Sequence, residues 1–221
     1  MPQVLLIILL CWPSLTLAAV SDTVVKYWDF LLYLNDKPVG RHQFSLSQQG
    51  DTVRLQSDME LEFRVLLVKQ IRYSHRATEI WHRGCLREVS SNTDRNGEQK
   101  TLIAELDEQA PQPGLRLETA KGTEMLQGCV RSFAYWNPDW LQGDSLLNVE
   151  TGESWPVQIT STQIQEQREV VIATPKTDIR LRYDADGRWL SLETELTIGG
   201  TLRYQRIESI NPNASLPLEK T

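Results

Sequence analysis

Asp58-Met59-Glu60-Leu61-Glu62-Phe63-Arg64-Val65 alternates polar and apolar residues without a break. In an extended chain successive side chains point to opposite faces, so Met59, Leu61, Phe63 and Val65 share one face of a strand and the charged residues share the other. The same period of two returns in Asp178-Ile179-Arg180-Leu181-Arg182-Tyr183, and it places Leu190, Leu192 and Leu196 on one face of the next strand. Working outward, this alternation dominates from Val24 to Tyr204. It is interrupted by Asn35-Asp36-Lys37-Pro38, Gln49-Gly50-Asp51, Arg95-Asn96-Gly97, Ala185-Asp186-Gly187 and Gly199-Gly200. These residues tolerate tight or left-handed geometry and read as hairpin turns. The expectation is a mostly β protein, an antiparallel meander of about ten to twelve strands, too many to remain flat and therefore a barrel, half-barrel or sandwich.

Three stretches depart from the alternation. Ala110 to Gly114, with Pro111 and Pro113, reads as a loop. Asn137-Pro138-Asp139-Trp140-Leu141-Gln142-Gly143 offers an N-cap, a proline at the first helical position, an early acid and a terminal glycine. That pattern predicts a short helical turn over 138–142. Residues 209–221, with Pro212 and Pro217, read as a C-terminal tail.

The chain opens with an apolar run from Val4 to Leu10, followed by small residues around Thr16, Ala18 and Ala19. The run is too short for a bilayer helix and is interrupted at Pro13, so residues 1–18 read as a signal peptide cut after Ala18. The alternative is an uncleaved anchor, because no Lys or Arg precedes the apolar run. Lipidation at Cys11 is disfavoured by Leu10 before it. Residues 19–208 then form a single β domain, placed in the periplasm, with no second apolar segment long enough to span a membrane.

All 29 acidic and 23 basic residues lie beyond residue 18 and leave a net charge of -6. Without a clustered basic excess, nucleic-acid binding is not expected. Export leaves Cys85 and Cys129, which an oxidising compartment favours joining; the alternative is two buried free thiols. No Cys-x-x-Cys, nucleophile elbow, phosphate loop, dinucleotide fingerprint or zinc-protease motif is present. Asp184-Ala185-Asp186-Gly187 reads as a hairpin turn, since its glycine comes too early for a calcium loop.

His42 is in register with Phe44 and Leu46, and His75 with Tyr73, Ala77, Glu79 and Trp81, so both histidines face an interior. His75 and His82, seven apart, point to opposite faces, which argues against a shared metal. The densest chemical signal is Cys129-Val130-Arg131-Ser132-Phe133-Ala134-Tyr135-Trp136-Asn137-Pro138-Asp139-Trp140. Four aromatics beside a cysteine make either core packing or one wall of a pocket. If the run is a strand, Phe133 and Tyr135 are buried together while Trp136 or Trp140 borders a cavity.

At these residues the chain resembles a known family. Gly84-Cys85-Leu86, Gly128-Cys129-Val130, Phe133-Ala134-Tyr135-Trp136-Asn137-Pro138, Leu146-Leu147-Asn148, Thr151-Gly152-Glu153 and Tyr183 to Trp189 are similar to an uncharacterised secreted bacterial family, of the domain-of-unknown-function 6134 type. The resemblance implies a bacterial, Gram-negative periplasmic protein and brings no catalytic residues. Lys37 to Phe44 and the closing hairpin are similar to periplasmic half-barrel proteins of unknown function.

The functional expectation is a periplasmic, barrel-like protein binding a lipid or other apolar ligand. Tyr135, Trp136, Trp140, His42 and His75 are its candidate contacts, with no cofactor or metal implied. One alternative is a cell-envelope interaction or assembly protein, docking through a sheet edge or through Trp136, Trp140 and Trp155. A second is an enzyme without a recognised motif, built on His42, His75 and Glu79.

Overall fold

The computed structural model describes residues 24–65, 69–197 and 199–207. The expected signal peptide and C-terminal tail lie outside the described residues. The first eight strands are β1 (Val24–Leu34), β2 (Lys37–Gln49), β3 (Thr52–Val65), β4 (Lys69–His82), β5 (Cys85–Arg95), β6 (Glu98–Asp107), β7 (Gly114–Thr119) and β8 (Gly122–Gln127). After a long connection containing β9 (Ser145–Leu147) and β10 (Ser154–Pro156) come β11 (Gln158–Ile164), β12 (Gln167–Ala173), β13 (Asp178–Tyr183), β14 (Trp189–Glu195) and β15 (Thr201–Arg206). The expected hairpin turns fall between paired strands, and the two-proline loop separates β6 from β7.

Thirteen strands form one antiparallel sheet in the order β11-β12-β13-β14-β15-β1-β2-β3-β4-β5-β6-β7-β8, while β9 and β10 pair separately. Among the described residues the sheet is not closed, because β8 and β11 have no strand beyond them. It curls instead, as a long twisted sheet must, and the inner faces of β1 to β7 and β12 to β15 share one hydrophobic core.

The fifteen strands exceed the expected ten to twelve. Two of the extra ones, β9 and β10, span three residues each inside a stretch without alternation. The expected face of Leu190, Leu192 and Leu196 is also broken. Arg182 pairs with Ser191 but Tyr183 pairs with Trp189, so Leu190 is a bulge residue. The bulge flips the phase, and Trp189 takes the fully buried inward position while Leu190 is half-buried.

The helical turn expected over 138–142 is absent. Asn137 does cap, its side-chain oxygen accepting the Asp139 N–H at 3.1 Å, and its carbonyl accepts the Trp140 N–H at 3.1 Å. The chain then leaves, the Gln142 N–H returning only to the Trp140 carbonyl at 3.0 Å. One tight turn therefore satisfies the capping groups, and burial of Trp136, Pro138 and Leu141 against the sheet prevents propagation.

Residues 128–157 cross the inside of the curled sheet, burying Ser132, Ala134, Trp136, Leu146, Leu147 and Gly152 while other stretches, such as 142–145, stay exposed. They leave β8 at the end of the molecule where β1 starts and emerge at the opposite end to begin β11. On the way Leu86 N–H donates to Val130 O at 2.9 Å, Leu147 N–H to Arg131 O at 2.7 Å, and Tyr183 O–H to Tyr135 O at 2.7 Å. Gly152, at φ +76°, passes so close to β6 and β7 that a Cβ would meet Thr119 Cγ2 at 2.8 Å. Backbone inside a core must find such partners, and these bonds supply them.

Candidate functional site

The interior has three levels. In the middle, Phe30, His42, Met59, His75 and Thr93 form one cross-strand row from β1 to β5. His42 and His75 are both buried. His42 Nδ1 lies 3.1 Å from Tyr204 Oη, His75 Nδ1 lies 2.8 Å from Thr93 Oγ1, and Glu79 accepts the Ser132 hydroxyl at 2.6 Å. The three side chains thus bond to three different partners and not to one another. Burial, with His75 nearby, pushes the His42 pKa down to about 3, and burial also lowers that of His75. Burial raises Glu79 to about 7, against the Ser132 hydrogen bond. Among the described residues no group of three or more His, Cys, Asp or Glu is placed to hold a metal ion.

At the end where β1 begins, the aromatic block fills the interior of the curled sheet. Cys85 and Cys129 are joined by a disulfide, with Cα atoms 5.1 Å apart. Beside it Trp81, Trp136 and Trp140 pack together, with ring centroids 5.9, 5.2 and 5.0 Å apart. Gly84, at φ +78°, lets the Trp140 ring approach to 3.3 Å of where a Cβ would stand. The run after Cys129 is not a strand. Ala134 N–H bonds back to Ser132 O and Tyr135 N–H to Phe133 O, both at 2.8 Å, the spacing of γ-turns. The buried set is consequently Ser132, Ala134 and Trp136, while Phe133 and Tyr135, expected to be buried, are half-buried. Phe133 packs against Tyr135 and edge-on against Trp155, and Tyr135 against Trp189, with ring centroids 5.9, 5.8 and 5.7 Å apart. Trp136 and Trp140 border a cleft of about 430 Å³ shared with Lys26, Asp51, Arg83 and Asp186, where Arg83 pairs with Asp51 at 2.7 Å.

The opposite end is open. Here a cavity of about 460 Å³ lies between the inner faces of β3 and β4 and those of β13 to β15. Its apolar wall is Met59, Leu61, Phe63, Ile71, Leu196 and Leu202, with Trp155 from the threaded segment. The residues whose alternation dictates the fold therefore end as a half-exposed lining: Met59, Leu61 and Phe63 are only partly buried, unlike Leu55 and Val53 lower on the same strand. Glu150 enters from the threaded segment and accepts the Tyr73 hydroxyl at 3.0 Å. Burial first, and Glu150 second, push the Tyr73 pKa upward.

This architecture is a curled, incompletely closed sheet with its own chain threaded through it. A family model for a domain of unknown function, DUF6134, matches residues 30–207. The chain belongs to the DUF6134 family. No curated protein matches it. Among solved structures, the crystal structure of a beta-barrel-like protein of domain of unknown function DUF1849 from Brucella abortus is similar. It gives a TM-score of 0.57 at 11% identity, covering 85% of this chain and 98% of the other. At that identity the likeness is one of fold.

In this DUF6134 chain, the residues singled out from sequence are spread over the three levels. Tyr135 packs half-buried against the core, Trp136 and Trp140 border the cleft beside the disulfide, and His42 and His75 lie in the middle row. The open cavity is lined by others. Its signal was present in the alternation. Continued outward from Thr93 and Leu102, the inward phase arrives at Arg95 and Lys100 instead of apolar residues. A charged side chain in the apolar phase marks a strand end where the interior meets solvent.

Proposed function

We propose that this is an exported, periplasmic binding protein that holds a lipid or other apolar ligand in the open cavity between β3–β4 and β13–β15. One observation carries the reading: Met59, Leu61, Phe63 and Leu196, all inward-facing, remain partly exposed around a space of about 460 Å³ while the core beneath them is filled. Partly wetted apolar walls with a few converging polar groups are the form of a small-molecule site, commonly about 300–1,000 Å³ in volume. The disulfide supports export, since such bonds persist in oxidising compartments.

The rival expectations find less support. Trp136 is buried in the interior and Trp155 stands at the other end from Trp140, so the three do not form one exposed patch. His42, His75 and Glu79 have separate partners and no shared cleft.

The test is native mass spectrometry with lipid extraction on protein recovered from its own periplasm, comparing wild type with Leu61→Trp, which fills the cavity from its wall. Retention of an apolar adduct by wild type and its loss in the variant is the expected outcome. Wild type that carries no adduct, or a variant that keeps it, would overturn the reading.

A further inference from the structure

The charges around the open cavity are unequal. Arg95 and Lys100 sit on the inward phase of β5 and β6, and Lys176 reaches the cavity from the β12–β13 turn. Of the nearby carboxylates, Glu150 lines the cavity and is engaged by the Tyr73 hydroxyl, Glu98 lies opposite Arg95 at the strand end, and Glu153, close to Lys176, is held by Lys121 at 3.0 Å. Glu195 also borders the cavity, but its carboxylate accepts the Thr201 hydroxyl at 2.5 Å, and Thr201 alternates with inward Leu202 on β15, which puts that contact on the outer face. Among the described residues, Arg95 and Lys176 make no ion pair within 4.0 Å, and Lys100 makes only a loose one to Glu98 at 3.8 Å. Lys176 lies 4.4 Å over the Trp155 ring, which holds its ammonium at the apolar rim.

Inward-pointing cations on strands whose other inward residues include Val89, Ser91, Thr93, Leu102 and Ala104, all buried, gain nothing from the core. They do fit a partner that brings its own negative charge and an apolar body. We infer that the ligand is an anionic amphiphile, its chain against Met59, Leu61, Phe63 and Leu196 and its carboxylate or phosphate head between Arg95, Lys100 and Lys176. This rests on the open cavity being the binding site. Charge-assisted hydrogen bonds from Arg and Lys are the strong ones for such heads, and Arg matches them with a planar fork.

The experiment titrates the full protein with dodecanoate, dodecyl phosphate, dodecanol and dodecyltrimethylammonium below their micelle concentrations, read by calorimetry and by the tryptophan fluorescence change that is lost in Trp155→Phe. Dodecanoate and dodecyl phosphate are expected to bind about tenfold or more tighter than dodecanol, the scale of one charge-assisted contact, and the cationic probe weakest. Arg95→Gln with Lys100→Gln should remove most of that preference, bringing dodecanoate affinity down toward that of dodecanol; Lys176→Gln gives an independent check. Dodecanol binding as tightly as dodecanoate, or a preference that survives both variants, overturns the anionic head while leaving the apolar cavity standing. If none of the four probes binds, the cavity reading itself fails and takes this inference with it.

Discussion

Replacing Glu79 by Gln should change how stability depends on pH in a defined direction. Glu79 points inward from β4 between its cross-strand partners Leu55 and Val89, is 6% exposed, and among the described residues has no cation acting on its carboxyl group. Its side-chain donor is Ser132 at 2.6 Å. The Trp81 indole N–H lies close enough to help hold the pKa down but finds no partner of good geometry. Burial wins, and the pKa rises from 4.5 to about 7. A raised folded-state pKa means that the folded protein binds this proton more tightly than the unfolded chain. The contribution is fully present below the unfolded value and is lost as pH rises through the folded one. At about 1.4 kcal/mol per unit, the loss across this window is on the order of 3 kcal/mol.

His42 and His75 act in the opposite sense. Their lowered pKa values add stability above the unfolded value of 6.5, and this stability is lost as pH falls. The wild-type profile mixes the two, but the difference between Glu79→Gln and wild type isolates the glutamate. Gln keeps the acceptor for Ser132 and removes the titration. In urea unfolding followed by tryptophan fluorescence, the two proteins should have equal stability at about pH 4, and the variant should be the more stable by on the order of 3 kcal/mol at about pH 8. A difference independent of pH, or one favouring wild type increasingly toward high pH, would refute the reasoning.

Other perturbations follow from the same geometry. Trp136→Ala empties a 5% exposed site between Trp81 and Trp140 and should cost about 3–5 kcal/mol; half-buried Phe133→Ala should cost clearly less in the same urea melts. Replacing Cys85 and Cys129 together by Ser opens a loop of 44 residues and should lower stability by about 4 kcal/mol in the chain-entropy view, read as a lowered urea midpoint in oxidising buffer. Gly84→Ala meets both a positive φ and the Trp140 ring, and should lose about 1–3 kcal/mol.

Much of the fold was legible because strand pairing obeys the period that the sequence displays. Met59, Leu61 and Phe63 do share the inner face of β3, and Ile179, Leu181 and Tyr183 that of β13. The failures are local and physical. A bulge at Leu190 changes the phase without changing the composition around it, and β9 and β10 are too short to show a period. The aromatic block misled because alternation implies a face only for a chain with one covered side. Residues 132–136 run inside the sheet, so Phe133 and Tyr135 have neighbours as well as Ser132 and Trp136. The candidate site lies away from that block because chemical density in the sequence marked the filled end. The open end is marked only by where the inward phase ceases to be apolar, at Arg95 and Lys100.

Ligand placement is read most directly by methionine methyl groups. Beyond the initiator the chain has two methionines, Met59 in the wall of the open cavity and Met125 on the edge strand β8 opposite exposed Arg116. With carbon-13 labelled methionine methyls and dodecanoate as the probe, the Met59 resonance should shift in a saturable manner while Met125 stays in place. A Met59 resonance that remains fixed while dodecanoate binds, or a shift confined to Met125, would contradict binding in the cavity.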